Sequence, residues 1–356
     1  MKFEKFLLYL CAYILYKYIY EKPMKLRTLY ILLVTITLSA IFSGCSKSTS
    51  FVTVDSFALG TFAQIKCKTE LSEQDIQEII KDIDEESKGS MSIFSTTSLL
   101  SRINSNQTDS LDRHIAFNIE LAQRFSELSN GAYDITIKPL TDAWGFGREN
   151  SKTPTNIDSL LEFVGYELLS VSEGRVHKLD SRVQIDLNSI AKGYTVDLVA
   201  ERFEELGITD YMVNIGGEVR CKGYNAQGER WSIAIETPYD GNMAMDSYEK
   251  ITRIADRAVA TSGNYRRFYL TEEGEKVAHT ISPKTGYSIV SSLLSATVIA
   301  STCAEADAAA TMFMSLGDSN EVERLAEYCN KEYGWDYYLI FAGGDDYRIV
   351  CSEALK

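Results

Sequence analysis

The chain has few of the residues that usually build metal and acid–base sites, because only three histidines occur among its 356 residues. It has five prolines, and no internal repeat, heptad series or long low-complexity segment is visible, which excludes repeat arrays and coiled coils. Its seven cysteines show no paired spacing, so neither a disulfide framework nor a zinc site is indicated. We therefore expect free cysteine thiols that are buried in the core.

Basic residues are also scarce relative to acidic ones. The chain has 36 Lys and Arg against 50 Asp and Glu, which gives a formal net charge of −14. Such a surface repels nucleic-acid phosphates, so a nucleic-acid partner is not expected. A diphosphate ligand would need local compensation from a metal ion or from specific basic side chains. The 45% hydrophobic content is ordinary for a folded protein with a large core.

The N-terminal part of the chain resembles a lipoprotein signal peptide. Lys25 and Arg27 supply the positive end, residues 29–42 form an apolar run, and small residues stand directly before Cys45. We predict that residues 24–44 are removed and that Cys45 is acylated. The protein would then be extracytoplasmic and lipid-anchored to a bacterial membrane, on the periplasmic side in a Gram-negative cell.

The residues before this leader are less easily interpreted. Residues 6–20 are apolar, but a lysine interrupts them and they are shorter than the ~20 residues of a comfortable membrane span. We therefore expect translation to start at Met24, and the alternative is an additional anchor segment. On this interpretation the leader covers 1–44, a linker covers 45–53, and one catalytic domain covers 54–356.

Residue periodicity in the rest of the chain predicts mixed helices and strands. Ser72 and Asp75 resemble a capping box at the start of a helix that Gly89 would stop. Further helices are expected at 114–128 and from Ser189 to Gly207, and strands at 57–65, 211–215, 231–235 and 337–341. Because these elements do not follow a regular βαβ alternation, an α+β fold is favoured over a doubly wound sheet.

The segment IDLNSIAKGYTVD, residues 185–197, places a carboxylate, a small polar turn and a lysine where a helix begins. Asp186 ends a strand-like alternation, and Asn188 and Ser189 are good N-cap types. First-turn amide groups, with Lys192 beside them, could hold a phosphate. An ordinary strand-to-helix turn with a surface lysine explains this segment equally well when it is considered alone.

The segment EADAAAT, residues 305–311, could supply metal ligands. Asp307 and Thr311 are four positions apart, so on a helix they project from the same face. A carboxylate and a hydroxyl suit magnesium, with a main-chain carbonyl and a substrate phosphate completing its oxygen ligands. The alternative is a solvated aspartate on a helix whose alanines allow close packing.

Other blocks offer surfaces rather than reactive groups. Gly60 and Gly131 would let the backbone approach a ligand closely, and Phe94 and Tyr133 could lie against an aromatic heterocycle. Core packing is the alternative for both aromatic residues.

The three histidines differ in their surroundings. His114 opens an amphipathic helix and His177 lies in a charged hairpin-like stretch, so both are expected at the surface. His279 instead lies between an alternating strand and the turn SPKTG. It is the candidate acid–base imidazole.

Taken in order, these segments resemble the FAD:protein FMN transferase (ApbE) family. The motifs that carry the likeness are ALGTF (58–62), SIFSTTSLLSRIN (92–104), GAYDITIKPLTDAWGFG (131–147), IDLNSIAKGYTVD (185–197), NIGGEVRCKG (214–223), AVATSGNYRRFY and AHTISPKTGYSI (between 258 and 289) and EADAAAT (305–311). The likeness extends from about Val54 to Leu316. Two departures are visible: Leu59 stands where methionine is common, and Ser282 replaces the usual aspartate before a proline.

The resemblance implies an α+β fold of two closely packed lobes with the nucleotide cleft between them. It implies that FAD contacts Leu59, Phe94, Ala132, Tyr133, Asp134, Asp186, Lys192 and Ile289. It also implies magnesium bound by Asp307, Thr311 and the main-chain oxygen of Ser189, with His279 in the block that the family uses at its active site.

The function implied is magnesium-dependent transfer of FMN from FAD to a threonine or serine of an acceptor flavoprotein, with release of AMP. The expected partners are FAD, the acceptor and, through the lipid anchor, a membrane. Two alternatives stay open from the residues. One is a magnesium-dependent FAD pyrophosphatase that gives FMN and AMP, and the other is a flavin-binding lipoprotein without catalysis.

Overall fold

The computed structural model describes residues 49–148, 154–239, 247–265, 267–344 and 346–356. The predicted leader and Cys45 lie outside these residues. Residues Ser50–Lys356 form one compact unit. In this part of the chain, no helix combines the length and the apolar character that a membrane crossing requires.

The described residues contain fourteen strands. They are β1 (Ser50–Ala58), β2 (Thr61–Thr69), β3 (Leu169–Ser172), β4 (Arg175–Lys178), β5 (Tyr211–Ile215), β6 (Glu218–Lys222), β7 (Trp231–Glu236), β8 (Tyr248–Ile254), β9 (Arg257–Gly263), β10 (Phe268–Leu270), β11 (Lys276–Ala278), β12 (Leu293–Ala300), β13 (Asp336–Ala342) and β14 (Tyr347–Cys351). Within the described residues, eight of them form one antiparallel sheet in the order β1-β2-β5-β6-β9-β12-β13-β14. The hairpins β3–β4, β7–β8 and β10–β11 lie outside it.

The helices are α1 (Glu73–Met91), α2 (Leu99–Asn104), α3 (Arg113–Leu128), α4 (Lys138–Ala143), α5 (Ile157–Leu161), α6 (Ala191–Glu205), α7 (Cys303–Leu316) and α8 (Ser319–Tyr333). Single 3₁₀ turns cover Tyr166–Leu168 and Glu353–Leu355. The α+β prediction is confirmed. Ser50–Lys356 is a single compact unit, which does not separate into two lobes. The predicted division into two closely packed lobes therefore stays a prediction.

The two faces of the sheet are buried differently, as the alternation of strand side chains requires. Val213 on β5 belongs to the main core, which includes the apolar faces of α1, α3, α6 and α7. Met212, its neighbour in sequence, belongs to a smaller core on the opposite face, where Trp231 and Ile235 of β7 pack. The sheet is therefore the middle layer between helices and a hairpin.

Two predicted boundaries were wrong. β1 begins at Ser50, inside the predicted linker 45–53, because Ser50 already pairs with Thr69 of β2. The capping box of Ser72 with Asp75 is confirmed, but α1 continues past Gly89 to Met91. A helix can pass through glycine when later residues are buried, and Met91 belongs to the main core.

The cysteine prediction is confirmed for the described residues. Cys67, Cys221, Cys303 and Cys329 are free and buried, and Cys351 is free and half-buried. The five strands and helices predicted at 211–215, 231–235, 337–341, 114–128 and 189–207 are also present, as β5, β7, β13, α3 and α6.

Candidate active site

A cavity of about 850 Å³ lies at one end of the sheet. The strand register brings together the β1–β2 turn, the β5–β6 turn and the end of β9, because Ala63 pairs with Ile215 and Val219 pairs with Val259. The start of α6 and one face of α7 complete the wall. Leu59, Phe94, Ala132, Tyr133, Asp134, Asp186, Ser189, Lys192, His279, Asp307 and Thr311 all line this cavity. The structure thus brings these predicted site residues together around one cavity.

Ile289 is the exception among the predicted residues, since it is absent from the cavity lining. Its main-chain N–H donates to the carbonyl of Thr280, at 3.0 Å. Thr280 itself lines the cavity, so Ile289 is bonded to a residue of the wall without lining the cavity itself. The turn before it keeps its expected support: the Ser282 hydroxyl accepts hydrogen bonds from the main-chain N–H groups of Lys284 and Thr285.

The Leu59–Gly60 wall is a tight turn held by α1. Both residues have positive φ, +51° and +77°, as a two-residue hairpin turn of type I′ requires. The carboxylate of Asp84 accepts the Leu59 N–H at 2.7 Å and pairs with Lys88 at 2.6 Å. One buried aspartate therefore fixes this part of the wall to the helix layer.

The aromatic surfaces differ in what they can offer a heterocycle. Phe94 is 51% exposed, so a ring face is available at the cavity. Tyr133 is almost fully buried and its hydroxyl lies 2.8 Å from the Ser189 hydroxyl. Tyr133 therefore contributes mainly an edge and a polar anchor for the start of α6.

The buried carboxylates on this wall each bind main-chain groups. Asp134 accepts hydrogen bonds from the N–H and the hydroxyl of Thr136, both at 2.7 Å, and burial raises its pKa to about 6. Asp186 accepts the Asn188 N–H at 2.9 Å, and burial raises its pKa as well. The predicted N-caps were wrong: the N-cap of α6 is Ile190, because Asn188 and Ser189 form a turn that Asp186 stabilises.

The first turn of α6 has a donor that another helix satisfies. Because Ile190 is the N-cap, the N–H of Gly193, the third helical residue, has no carbonyl partner within α6. It donates to Asp307 Oδ2, at 2.9 Å. The Ser189 carbonyl is left without a hydrogen-bond donor in the part of the chain that the structure describes. This carbonyl is therefore available to a ligand at the cavity.

Glycine is required at residue 193 for this contact. A Cβ there would lie 2.3 Å from the Cys303 carbonyl oxygen and 2.8 Å from the Asp307 Cβ. The close crossing of α6 and α7 thus delivers the Asp307 carboxylate to the first turn of α6. Sequence reasoning missed this contact, because the two residues are far apart in the chain.

We expect Gly193→Ala to lower stability by about 1–3 kcal/mol or more, since the methyl group overpacks the contact between α6 and α7. Gly89→Ala is the matched control, because a Cβ at this helical glycine meets nothing within 4 Å. That control should change stability by less than about 1 kcal/mol, in the stabilising direction. Thermal unfolding of both variants checks this. Equal melting temperatures for Gly193→Ala and the wild type would contradict the crossing described above.

The oxygen donors around Asp307 fit a hard divalent cation. Asp307 and Thr311 lie one turn apart on α7, and the Thr311 hydroxyl is held 3.0 Å from the Ser262 hydroxyl. The free Ser189 carbonyl adds a third oxygen. In the described ranges no group of three or more His, Cys, Asp or Glu is arranged for a metal, so hydroxyl and carbonyl donors are needed.

The charges near Asp307 support the same fit. Burial, with repulsion from Glu218 and Asp197, raises the pKa of Asp307 to about 7, although Lys192 acts in the opposite direction. Glu218 is 2% exposed, and its Oε2 has no hydrogen-bond partner among the residues that the structure describes. Its other oxygen pairs with Lys192. A cation would relieve both the repulsion and the unpaired carboxylate oxygen.

The lining of the cavity has no excess of cations over carboxylates. It includes the cations Lys88, Lys192 and Arg267 and the carboxylates Asp134, Asp186, Glu218 and Asp307, which gives a formal charge of −1 when every carboxylate is ionised and His279 is neutral. A diphosphate would therefore enter with a divalent cation rather than alone.

His279 is half-buried on the cavity wall, as its candidate role requires. Its Nδ1 lies 3.2 Å from the carbonyl oxygen of Arg267. A carbonyl only accepts, so Nδ1 carries the proton and Nε2 keeps a free lone pair. Burial, and then repulsion from Arg267 and Lys192, lowers the pKa of His279 to about 4. The imidazole is therefore neutral near pH 7.

The other histidines gave one error. His177 is exposed as predicted. His114 is only 3% exposed, because its ring nitrogens bind the Tyr194 hydroxyl at 3.0 Å and the Glu86 carboxylate at 2.9 Å. These partners come from two other helices, which the local sequence does not show.

NMR titration of the ligand-free protein should place the His279 midpoint near pH 4, with the signal assigned by its loss in His279→Asn. The ordinary pKa is about 6.5. Because the folded-state pKa is lower, only the unfolded chain binds this proton between about pH 4 and 6.5. His279 therefore reduces stability as pH falls through that window. A midpoint at or above pH 6 would show that His279 is not buried among cations.

Comparison with known proteins decides the family. The sequence model described as "ApbE family" matches residues 59–345. The chain belongs to the ApbE family. This confirms the resemblance carried by the motifs.

Relatives and solved structures agree over most of the chain. FAD:protein FMN transferase from Haemophilus influenzae is 33% identical over 345 residues, covering 91% of this chain and 96% of that protein. The enzyme of the same name from Vibrio cholerae is 34% identical over 296 residues, covering 80% and 87%. The structure of the flavin transferase ApbE from Vibrio cholerae matches with a TM-score of 0.76 at 30% identity, covering 86% of this chain and 98% of that one. The α+β fold is thus that of ApbE flavin transferases.

Proposed function

We propose that this chain is an FAD:protein FMN transferase that uses magnesium to move FMN from FAD to a serine or threonine of an acceptor flavoprotein, releasing AMP. The observation that carries the proposal is the cavity at the end of the sheet. It combines the Ser189 carbonyl, which accepts no hydrogen bond from the described residues, and the Asp307 carboxylate with an unprotonated His279 nitrogen. The names of the relatives support the same activity.

Asp307, Thr311 and the Ser189 carbonyl would hold the magnesium ion. When bound, magnesium would neutralise the diphosphate and polarise its phosphoryl oxygens. The Gly193 N–H orients the Asp307 carboxylate, and the Ser262 hydroxyl orients Thr311. These contacts fix the donors before substrate arrives, which limits reorganisation during the reaction.

His279 would act as the base for the acceptor. Its neutral Nε2 takes the proton of the acceptor hydroxyl, whose oxygen then bonds to the phosphorus of the FMN half. The bond from that phosphorus to the bridging oxygen breaks, and AMP leaves with the electron pair. Positioning and charge stabilisation should dominate such a phosphoryl transfer.

The flavin and its neighbours would lie against the remaining wall. Phe94 offers an exposed ring face, Leu59 an apolar surface, and Asp134 and Asp186 polar contacts. Lys192 would reach the diphosphate from the first turn of α6, although it must share its charge with Glu218. The FAD-contact roles of Leu59, Phe94, Ala132, Tyr133, Asp134, Asp186, Lys192 and Ile289 belong to this proposal.

The test is to incubate the purified chain with FAD, magnesium and candidate acceptor proteins. Flavin fluorescence on the acceptor after denaturing electrophoresis supports transfer. Free FMN with AMP would support the pyrophosphatase, in which water replaces the hydroxyl. Unchanged FAD would support a flavin-binding protein without catalysis, which the metal-suited donor set argues against.

We further propose that the enzyme is lipid-anchored on the extracytoplasmic side of a bacterial membrane. The support is the signal-like sequence before Cys45, which lies outside the described residues. A stable anchor takes more than one acyl chain, so Cys45 should carry several. Mass spectrometry of membrane-extracted protein should find acylated Cys45 as the first residue. An unmodified Cys45, or a mature chain that retains residues 24–44, would refute the anchor.

A further inference from the structure

Arg267 differs from the other cations of the cavity. Lys88 pairs with Asp84 and Lys192 pairs with Glu218. Arg267 lines the same cavity but forms no ion pair with any carboxylate in the described ranges. One guanidinium nitrogen, Nη2, donates to the Phe146 carbonyl at 2.7 Å, and the group lies 5.8 Å from the Phe146 ring centre. The second N–H of Nη2, together with Nη1 or Nε, therefore keeps its hydrogen-bonding capacity for a ligand.

Arg267 lies beside the candidate base. Its carbonyl accepts a hydrogen bond from His279 Nδ1 at 3.2 Å, and the Phe146 ring against its guanidinium lies 6.3 Å from the His279 ring. These three residues line the same cavity as Lys192 and Asp307. The guanidinium is therefore on the wall that carries the candidate base.

We propose that Arg267 binds a phosphate group of the dinucleotide in this cavity. This proposal rests on the proposed function, because it assumes that FAD binds there. A guanidinium offers a planar pair of N–H donors that matches two phosphate oxygens, and it is charged at every physiological pH. The contact with Phe146 occupies one N–H of Nη2, so one planar pair is left, formed by the other Nη2 N–H with Nη1 or Nε.

The same contact would assist the reaction. If Arg267 holds the AMP phosphate, it stabilises the negative charge that AMP carries away when the bridging bond breaks. If it holds the FMN phosphate, it neutralises the oxygens around the phosphorus that the acceptor hydroxyl attacks. Both cases involve the same phosphate chemistry. They differ in whether the affinity for AMP or the affinity for FMN falls when Arg267 is replaced.

Arg267→Gln in the full chain separates these cases. FAD affinity with magnesium is measured by flavin fluorescence, and AMP and FMN are measured as competitors. The loss of a charged hydrogen-bonded pair should weaken FAD by roughly 10–100-fold. The affinity for one of the two competitors should fall by a similar factor, and the affinity for the other should fall by less than about threefold. Loss confined to AMP identifies the AMP phosphate, and loss confined to FMN identifies the FMN phosphate.

Two variants control the measurement. Arg348→Gln removes an arginine that lies over Phe341 at 4.2 Å and pairs with Glu323, outside the cavity lining, and it should leave all affinities unchanged. Arg267→Lys keeps the charge without the planar fork and should restore part of the FAD affinity. If Arg267→Gln melts well below the wild type, Arg267→Lys is measured with the same three ligands.

Unchanged FAD affinity in Arg267→Gln would overturn the proposal, and so would equal losses for AMP and FMN, which indicate a purely structural role. Equal losses of AMP and FMN affinity in Arg267→Lys would likewise overturn the proposal. These binding measurements need no acceptor. A wild-type chain that binds FAD but transfers no FMN would refute the proposed function and leave the Arg267 contact intact.

Discussion

Asp307→Ala should lower magnesium-dependent turnover by at least about 10³-fold, because metal-ion stabilisation is worth several kcal/mol. The substitution also leaves the Gly193 N–H, a first-turn donor of α6, without its partner. FAD binding should weaken less than turnover does.

Asp307→Asn is the matched variant for this prediction. Its amide oxygen can still accept the Gly193 N–H, so the start of α6 should keep its geometry while the ligand charge is lost. Calorimetric titration with magnesium should show weaker binding in both variants, with the larger loss in alanine. Wild-type turnover by Asp307→Ala with magnesium as the only metal would show that Asp307 is not a catalytic metal ligand.

His279→Asn should lower turnover at saturating FAD and acceptor by roughly 10²–10⁴-fold, the usual contribution of a positioned base. Asparagine can still donate an N–H to the Arg267 carbonyl, but it has no second ring nitrogen to accept a proton. The wall should therefore stay in place, and FAD affinity should change little. Steady-state kinetics with both substrates varied gives the two quantities separately.

A binding role for His279 predicts the reverse pattern. FAD affinity would fall and saturated turnover would stay nearly normal. Turnover within a factor of about three of the wild type excludes a base that supplies even the low end of the expected range. Thermal unfolding of His279→Asn is the control, since an unchanged melting temperature shows that the surrounding wall is intact.

Local patterns in the sequence predicted much of this site. The spacing of Asp307 and Thr311 needs only helix geometry to place both on one face, and both line the cavity. The capping box at Ser72 is equally local. The family resemblance, carried by motifs in a fixed order, also predicted that segments far apart in the chain form one site. Residue periodicity alone does not predict this.

The errors share one physical cause, which is contact between residues distant in sequence. His114 looked like a surface residue because its partners Glu86 and Tyr194 lie on other helices. The cap of α6 was misplaced because Asp307 and Asp186 take over the hydrogen bonding there. No local pattern singled out Arg267 as a phosphate ligand. That role was inferred because Lys88 and Lys192 form ion pairs and Arg267 forms none in the described ranges.

The central claim is that FMN leaves FAD for an acceptor side chain, and the products of one reaction test it directly. FAD, magnesium and a purified acceptor are incubated with the wild-type chain or with Asp307→Ala, AMP is quantified, and the acceptor peptides are analysed by mass spectrometry. The account predicts one AMP for each FMN attached through a phosphodiester to a serine or threonine, with neither product in the variant. AMP released together with free FMN, and no modified acceptor peptide, would contradict it.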